Sequence, residues 1–299
     1  MVVIGIMTWY WNKDLYGSST IFWFNYIAIG ASGWICENTA IEWYDFYHYS
    51  PNTWTLYLGH MPLEVCIIWP QVIFGVRRLL RTKLSGLSLV LTGSAEIFLQ
   101  ALFIEICNVQ AGLWSWSRSN VFGVPIIGVL GWAAFGCAAL LCLEIQEGAL
   151  KKPWKNDFLS VLQRHAWILI PILSMVFVHL TLIVSWKHLG FESLSLIDLD
   201  PSTCVFGAIV LVSSMMILWT IVHFSTSFRI HPSEEVPRLV AATVLMWELF
   251  HVRPSQELLL FSGLMSMPYM FQTMLSSFEF IIQSQREHNL SFSSTKKVK

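Results

Sequence analysis

Long apolar runs dominate the chain. They recur at about 20–41, 53–76, 86–108, 121–143, 167–186, 204–224, 236–252 and 256–282, separated by short polar or aromatic stretches. A bilayer hydrocarbon core of roughly 30 Å takes about 20 apolar residues per helix. The pattern predicts an all-α, polytopic membrane helical bundle of about eight spans. Seven spans is the alternative, because the run at 236–252 is short. The runs are continuous rather than alternating, which argues against a membrane β-barrel. The opening MVVIGIMTWYWNKD is too short to span and lacks a basic segment ahead of its apolar residues, so it is expected at the interface rather than as a signal peptide.

Composition strengthens this reading. Of 299 residues, 55% are hydrophobic and only 12% are charged, against about 25% charged in soluble domains. Mean hydropathy is +0.58. A net charge of −1 argues against nucleic acid as a partner; the bilayer is the partner the pattern implies. The six cysteines (36, 66, 107, 137, 142 and 204) are scattered and read as small core residues.

Basic residues give an orientation. The loop RRLLRTK after the second run and KKPWK after the fourth belong on the cytoplasmic side. Eight spans then put both termini inside, in agreement with the terminal KKVK. All Lys and Arg fall on that side except Arg118, Lys187 and Arg253. The expected organisation is one integral membrane domain over 1–283 and a polar, disordered cytoplasmic tail over 284–299.

Two segments repeat. One runs from Glu37 through EWYDFYHYS to GHMPLEVCIIW; the other runs from Glu105 through GLWSWSRSN to FGVPIIGVLGW. Each has a Glu near the outer end of a helix, an aromatic loop, Gly and Pro opening the next helix, and a Trp seven residues after the Pro (Pro62 to Trp69, Pro125 to Trp132). Spans one–two (20–76) and three–four (86–143) therefore look like two copies of a helical hairpin in the same orientation. Part of the aromatic content of these loops is an ordinary interfacial belt.

Carboxylates inside spans are costly, about 2.5–3.5 kcal/mol at mid-bilayer, and are functional candidates by default. Glu64 is about eleven residues into the second run, which at 1.5 Å per residue places it roughly 16 Å deep, near the midplane. His60 precedes it by one turn. Glu96 and Glu105 share the third run on opposite faces. Glu37 is the repeat partner of Glu105. Glu248 and His251 share a face of the seventh run. This ExxH is half of a di-iron pattern that needs a second copy and further acids, so no metal site is expected. His179 and His223 read as packed or hydrogen-bonded. The expected site is an acid-lined pocket in the outer half, built from Glu37, His60, Glu64, Glu105, Glu248 and His251, with Glu96 as a rival. Trp69, Trp114, Trp116 and Trp132 would wall it.

Several chemistries lack their motifs. There are no HxxxH boxes, no mid-span Lys, no nucleotide-binding glycine loop and no span-borne DDxxD, so no cofactor is expected.

The segment EICNVQAGLWSWSRSNVFGVPIIGVLGW resembles the membrane carotenoid hydratases of the bisanhydrobacterioruberin hydratase type: a helix-borne Glu, an aromatic G-x-W/Y loop, then a G-V-P helix start leading to a Trp. GHMPLEVCIIW looks like the P-x-E-E motif of the related small membrane lycopene cyclases. The second acid of that motif is Val65 here, which counts against cyclase activity. The resemblance covers roughly 30–145 and points to Pro62, Glu64, Glu105 and Pro125, with Trp114, Trp116 and Trp132 at matching aromatic positions.

It implies a cofactor-free enzyme acting on an acyclic carotenoid or isoprenoid. A carboxylic acid protonates a terminal double bond, and water (hydratase) or a second double bond (cyclase) captures the cation. A carboxyl kept neutral by burial can donate a proton, and aromatic faces stabilise a cation. Glu64 is the expected acid, with Glu105 or Glu37 orienting water or stabilising the cation. A different terpene cyclase would use the same protonation. A proton-coupled transporter or lipid-binding protein without catalysis is the alternative, since Gly and Pro also interrupt transporter helices.

Overall fold

The computed structural model describes residues 18–51, 53–81, 84–119, 121–151, 157–188, 199–225, 232–252 and 254–268, with positions 6, 8–10 and 12 near the N-terminus. The described chain is mostly α-helical. It divides into two compact units, Met1–Pro201 and Ser202–Lys299.

The first unit holds α1 (Ser19–Tyr44), α2 (Leu63–Arg81), α3 (Gly86–Gln110), α4 (Ile126–Lys151), the short α5 (Asp157–Arg164) and α6 (Leu169–His179). A 3-10 turn, Ala166–Ile168, leads into α6, and a π-helical stretch, Leu180–His188, continues it. Helix α1 packs on α2, α2 on α3, α3 on α4, α4 on α6, and α6 back on α1. The five helices thus close a ring. The second unit contains α7 (Pro201–Ser225), α8 (Pro232–His251) and a helix over 256–268.

Three helical stretches are long and apolar enough to cross a membrane: Gly86–Gln110, Ile126–Gly148 and Ala166–Trp186. Leu87, Leu91, Ile172 and Val176 are exposed on them, as lipid-facing positions would be. The tail 284–299, and 269–282 of the eighth predicted run, lie outside the described residues.

The second predicted run is corrected. Helix α2 begins at Leu63, ten residues later than 53. Residues 57–62 instead fold back as a tight antiparallel pair, β2 (Tyr57–Leu58) on β3 (Met61–Pro62), around Gly59 and His60. The apolar content of TWTLYLGHMPL suits a strand as well as a helix, and Gly59 and Pro62 favour a turn. Glu64 therefore sits in the first turn of α2 rather than eleven residues into a helix.

The ends of α1 are set locally. Ser18 caps it by accepting the Thr20 N–H at 3.2 Å. Asp45, with φ 54°, ends it in the left-handed conformation and returns its N–H to the Ile41 carbonyl. At the opposite end of the ring, Arg77, only 2% exposed, donates to Glu144 at 3.3 Å and Glu147 at 2.6 Å, and Arg81 donates to Glu147 at 2.6 Å. This buried network ties α2 to α4, and each of these charges has its partner.

Candidate functional site

The loops between α1 and α2 and between α3 and α4 meet in a short antiparallel ribbon. Strand β1 (Tyr47–Tyr49) pairs with β4 (Trp114–Trp116), placing Tyr47 opposite Trp116, His48 opposite Ser115 and Tyr49 opposite Trp114. Alternate residues of a strand share a face. Tyr47, Tyr49, Trp114 and Trp116 therefore lie on one face of the ribbon, while His48 and Ser115 face outward and are exposed. Each hairpin supplies one strand of the ribbon.

Under this aromatic face sit two buried carboxyl groups. Glu105, on α3, is 3% exposed. Its Oε2 accepts the indole N–H of Trp114 at 2.8 Å and of Trp116 at 3.0 Å, and its Oε1 accepts that of Trp132 at 2.7 Å. Glu37, on α1, is 8% exposed. Its Oε2 accepts the hydroxyls of Tyr47 and, at 3.0 Å, Tyr49; its Oε1 accepts the Trp69 indole at 3.1 Å. Each hairpin thus supplies one acid from its first helix, two aromatic donors from its loop and one Trp from its second helix. Trp69 and Trp132 touch each other, with ring centroids 4.3 Å apart, so a continuous chain runs from Glu37 to Glu105.

Close helix approach makes these cages fit. A methyl at Gly33 would lie 2.4 Å from the Trp69 ring, and one at Gly128 2.4 Å from the Trp116 ring. Both glycines are spaces occupied by an indole that binds a carboxyl.

Three donors reach each carboxyl, whose two oxygens offer about four acceptor sites. On each residue Oε2 takes two hydrogen bonds and Oε1 takes one, so Oε1 keeps one site open. Among the described residues no ion pair involves either acid; hydrogen bonds replace the counter-charge. Both acids line a cavity of about 70 Å³, together with Cys36, Val65, Trp69, Trp132, Phe135 and, from the π-helical stretch, Leu182. That volume admits a few waters or the tip of a hydrocarbon chain. Its walls are mainly apolar and aromatic.

The structure therefore brings together Glu37, Glu105, Trp69, Trp114, Trp116 and Trp132. Glu64 lies outside the cavity, and its neighbour Val65 lines it. Glu64 Oε1 accepts the Thr55 N–H at 3.2 Å, an acid in the first turn of a helix where the helix dipole favours it; its Oε2 has no partner. Glu96 is buried but accepts from Gln100 one turn on, away from the cavity. His60 is exposed in the β2–β3 turn, its N–H held by Asn38 at 2.7 Å. Glu248 and His251 are exposed on α8, in the second unit. His179 is hydrogen-bonded to Thr39 and Tyr44, at 2.9 and 3.1 Å. Among the described residues no group of three His, Cys, Asp or Glu side chains is placed to hold a metal ion.

Two site residues escape the sequence reading: Tyr47 and Tyr49. The repeat carries their signal. Trp114 and Trp116 follow Glu105 by nine and eleven residues, and the tyrosines follow Glu37 by ten and twelve. No protein-family model, curated protein or solved structure matches the chain.

Proposed function

We propose that the chain is a multi-pass membrane enzyme that protonates a terminal double bond of an acyclic, apolar isoprenoid, of which a carotenoid is the type. Water then adds to the cation; ring closure by a second double bond is the variant reaction. The observation that supports this most is the pair of buried carboxyls, each with one open oxygen site, on a small aromatic cavity.

Glu37 is the acid. The π electrons of the double bond take its proton, forming a C–H bond and leaving a tertiary cation. The faces of Trp69 and Trp132, which bridge the two acids, stabilise that charge; cation–π contacts are worth about 2 kcal/mol or more when desolvated. A water held at Glu105 Oε1 attacks the cation and gives its spare proton to Glu105, from which it returns through cavity water to the Glu37 carboxylate and restores the acid. The sum is addition of water, with no oxidation. The cavity holds only the chain tip, so the rest of a long substrate lies between helices or in lipid. Glu64 has no part in this scheme because it does not reach the cavity.

The topology goes with this reading. Helices α1 and α2 cross the membrane beside the three longer apolar stretches. The end bearing Arg77 and Arg81 is cytoplasmic, the aromatic ribbon lies on the other side, and eight spans put both termini inside.

Expression in lycopene-producing cells tests the proposal. Pigment chromatography should show a hydroxylated or cyclised product. Unchanged pigments across several acyclic carotenoids, with the protein present in the membrane, refute it.

A further inference from the structure

The two carboxyls are caged by different chemistry. Every donor at Glu105 is an indole N–H, which donates only and cannot pass a proton on. Two donors at Glu37 are phenol hydroxyls, which donate and accept at once. Only the Glu37 cage contains groups able to relay a proton.

The two phenols are not equivalent. Tyr47 is buried against the Trp116 ring, with centroids 4.6 Å apart. Tyr49 is half-buried and has two environments. It lines the cavity that holds the two acids. It also lines a second hollow, an open groove of about 270 Å³ on the loop face, shared with His48, Tyr57 and His60. Tyr49 is the one described residue common to both hollows. His48 is paired with Asp45 at 3.0 Å, and both are exposed. Burial, and then the charge of Glu37, hold the Tyr49 hydroxyl well above the ordinary tyrosine range. It therefore stays a neutral O–H, as a relay requires.

We infer that Tyr49 is the proton gate of the site: Glu37 exchanges its proton with water in the His48–His60 groove through the Tyr49 hydroxyl. A protonated groove group gives its proton, through water, to Tyr49 Oη. In the same step the Tyr49 O–H bond breaks and its proton passes to Glu37 Oε2, 3.0 Å away. Tyrosine ends neutral, Glu37 ends protonated, and nothing is oxidised. A half-turn of the carboxyl about its terminal torsion, which is broad and two-fold, presents the proton to the cavity. This rests on the role of Glu37 as the acid, and it lets that acid equilibrate its proton with bulk water without opening the cavity.

The test uses the full chain in lipid nanodiscs and needs no substrate. Infrared spectroscopy follows the carboxylic C=O band that Glu37→Gln removes, after transfer from H₂O to D₂O. Wild-type exchange should be fast. Tyr49→Phe should slow it about tenfold or more, while Tyr47→Phe, which removes an equivalent hydrogen bond, should leave it within about twofold. Equal rates in wild type and Tyr49→Phe overturn the gate. Equal slowing by both Phe variants also overturns it, since loss of any hydrogen bond would then suffice. If Glu37→Gln removes no protonated-carboxyl band, the role of Glu37 as the acid fails, and the gate with it. A normal Glu37 band with unchanged Tyr49→Phe exchange sinks the gate alone.

Discussion

The two hairpins of the first unit carry the same device built from different side chains. In both, a Glu near the loop end of the first helix is held by two aromatic donors two residues apart on a strand and by a Trp on the second helix. The hairpin of α1 and α2 uses Tyr, Tyr and Trp. The hairpin of α3 and α4 uses Trp, Trp and Trp. The donor pattern is shared, so the difference in chemistry lies in the loop pair. Phenols can move a proton and indoles cannot. One acid thereby has donors able to relay a proton, one of them bordering an open groove, and the other has donors alone.

That contrast can be broken at several strengths. The largest effect on stability is expected from Glu105→Leu. It leaves three indole N–H groups without an acceptor, at about 1–3 kcal/mol for each buried unsatisfied donor. Glu37→Leu should cost less, because phenol O–H groups rotate to other acceptors and Tyr49 borders an open groove. Thermal aggregation in detergent should rank Glu105→Leu below Glu37→Leu; the reverse order would remove the distinction between the cages.

Next come the glycines. Gly33→Ala drives a methyl into the Trp69 ring and Gly128→Ala drives one into the Trp116 ring. Overpacking of this kind costs about 1–3 kcal/mol. Trp69 touches Trp132 and Trp116 packs on Tyr47, so the two cages share contacts and the double variant should depart from additivity by about 0.5 kcal/mol or more. Simple additivity, measured by the same thermal assay, would mean that the cages act as separate units. The smallest effect is expected at Glu64. Glu64→Gln should alter stability by no more than about 0.5–1 kcal/mol, the size of a helix-end charge effect. Product yield in pigment assays should stay within about twofold of wild type.

Much of this comparison was legible before the structure. The matched spacing of Glu, loop aromatics, Pro and Trp marks the two hairpins, because a repeated packing solution needs repeated residue types. The helical class follows from the apolar runs. The place of Glu64 was not legible: hydropathy alone counts TWTLYLGHMPL as helix and moves the acid to mid-bilayer, whereas the Gly59 turn shortens the helix from its start. The roles of Tyr47 and Tyr49 were hidden for a different reason. Aromatics in a membrane loop look like an interfacial belt, and only strand pairing shows that alternate ones turn inward. Helical spacing does place Glu96 and Glu105 on different faces of α3, and the cavity takes Glu105.

The central claim is that the two acids do different jobs, Glu37 giving the proton and Glu105 holding the water. Product analysis from lycopene-fed membranes carrying Glu37→Gln or Glu105→Gln tests it most directly. Glu37→Gln should leave the substrate unconverted, a loss of about 100-fold or more. Glu105→Gln should still consume it, but yield a double-bond isomer from proton loss in place of the water adduct. The same product profile from both variants, or a normal adduct from Glu37→Gln, would contradict the account.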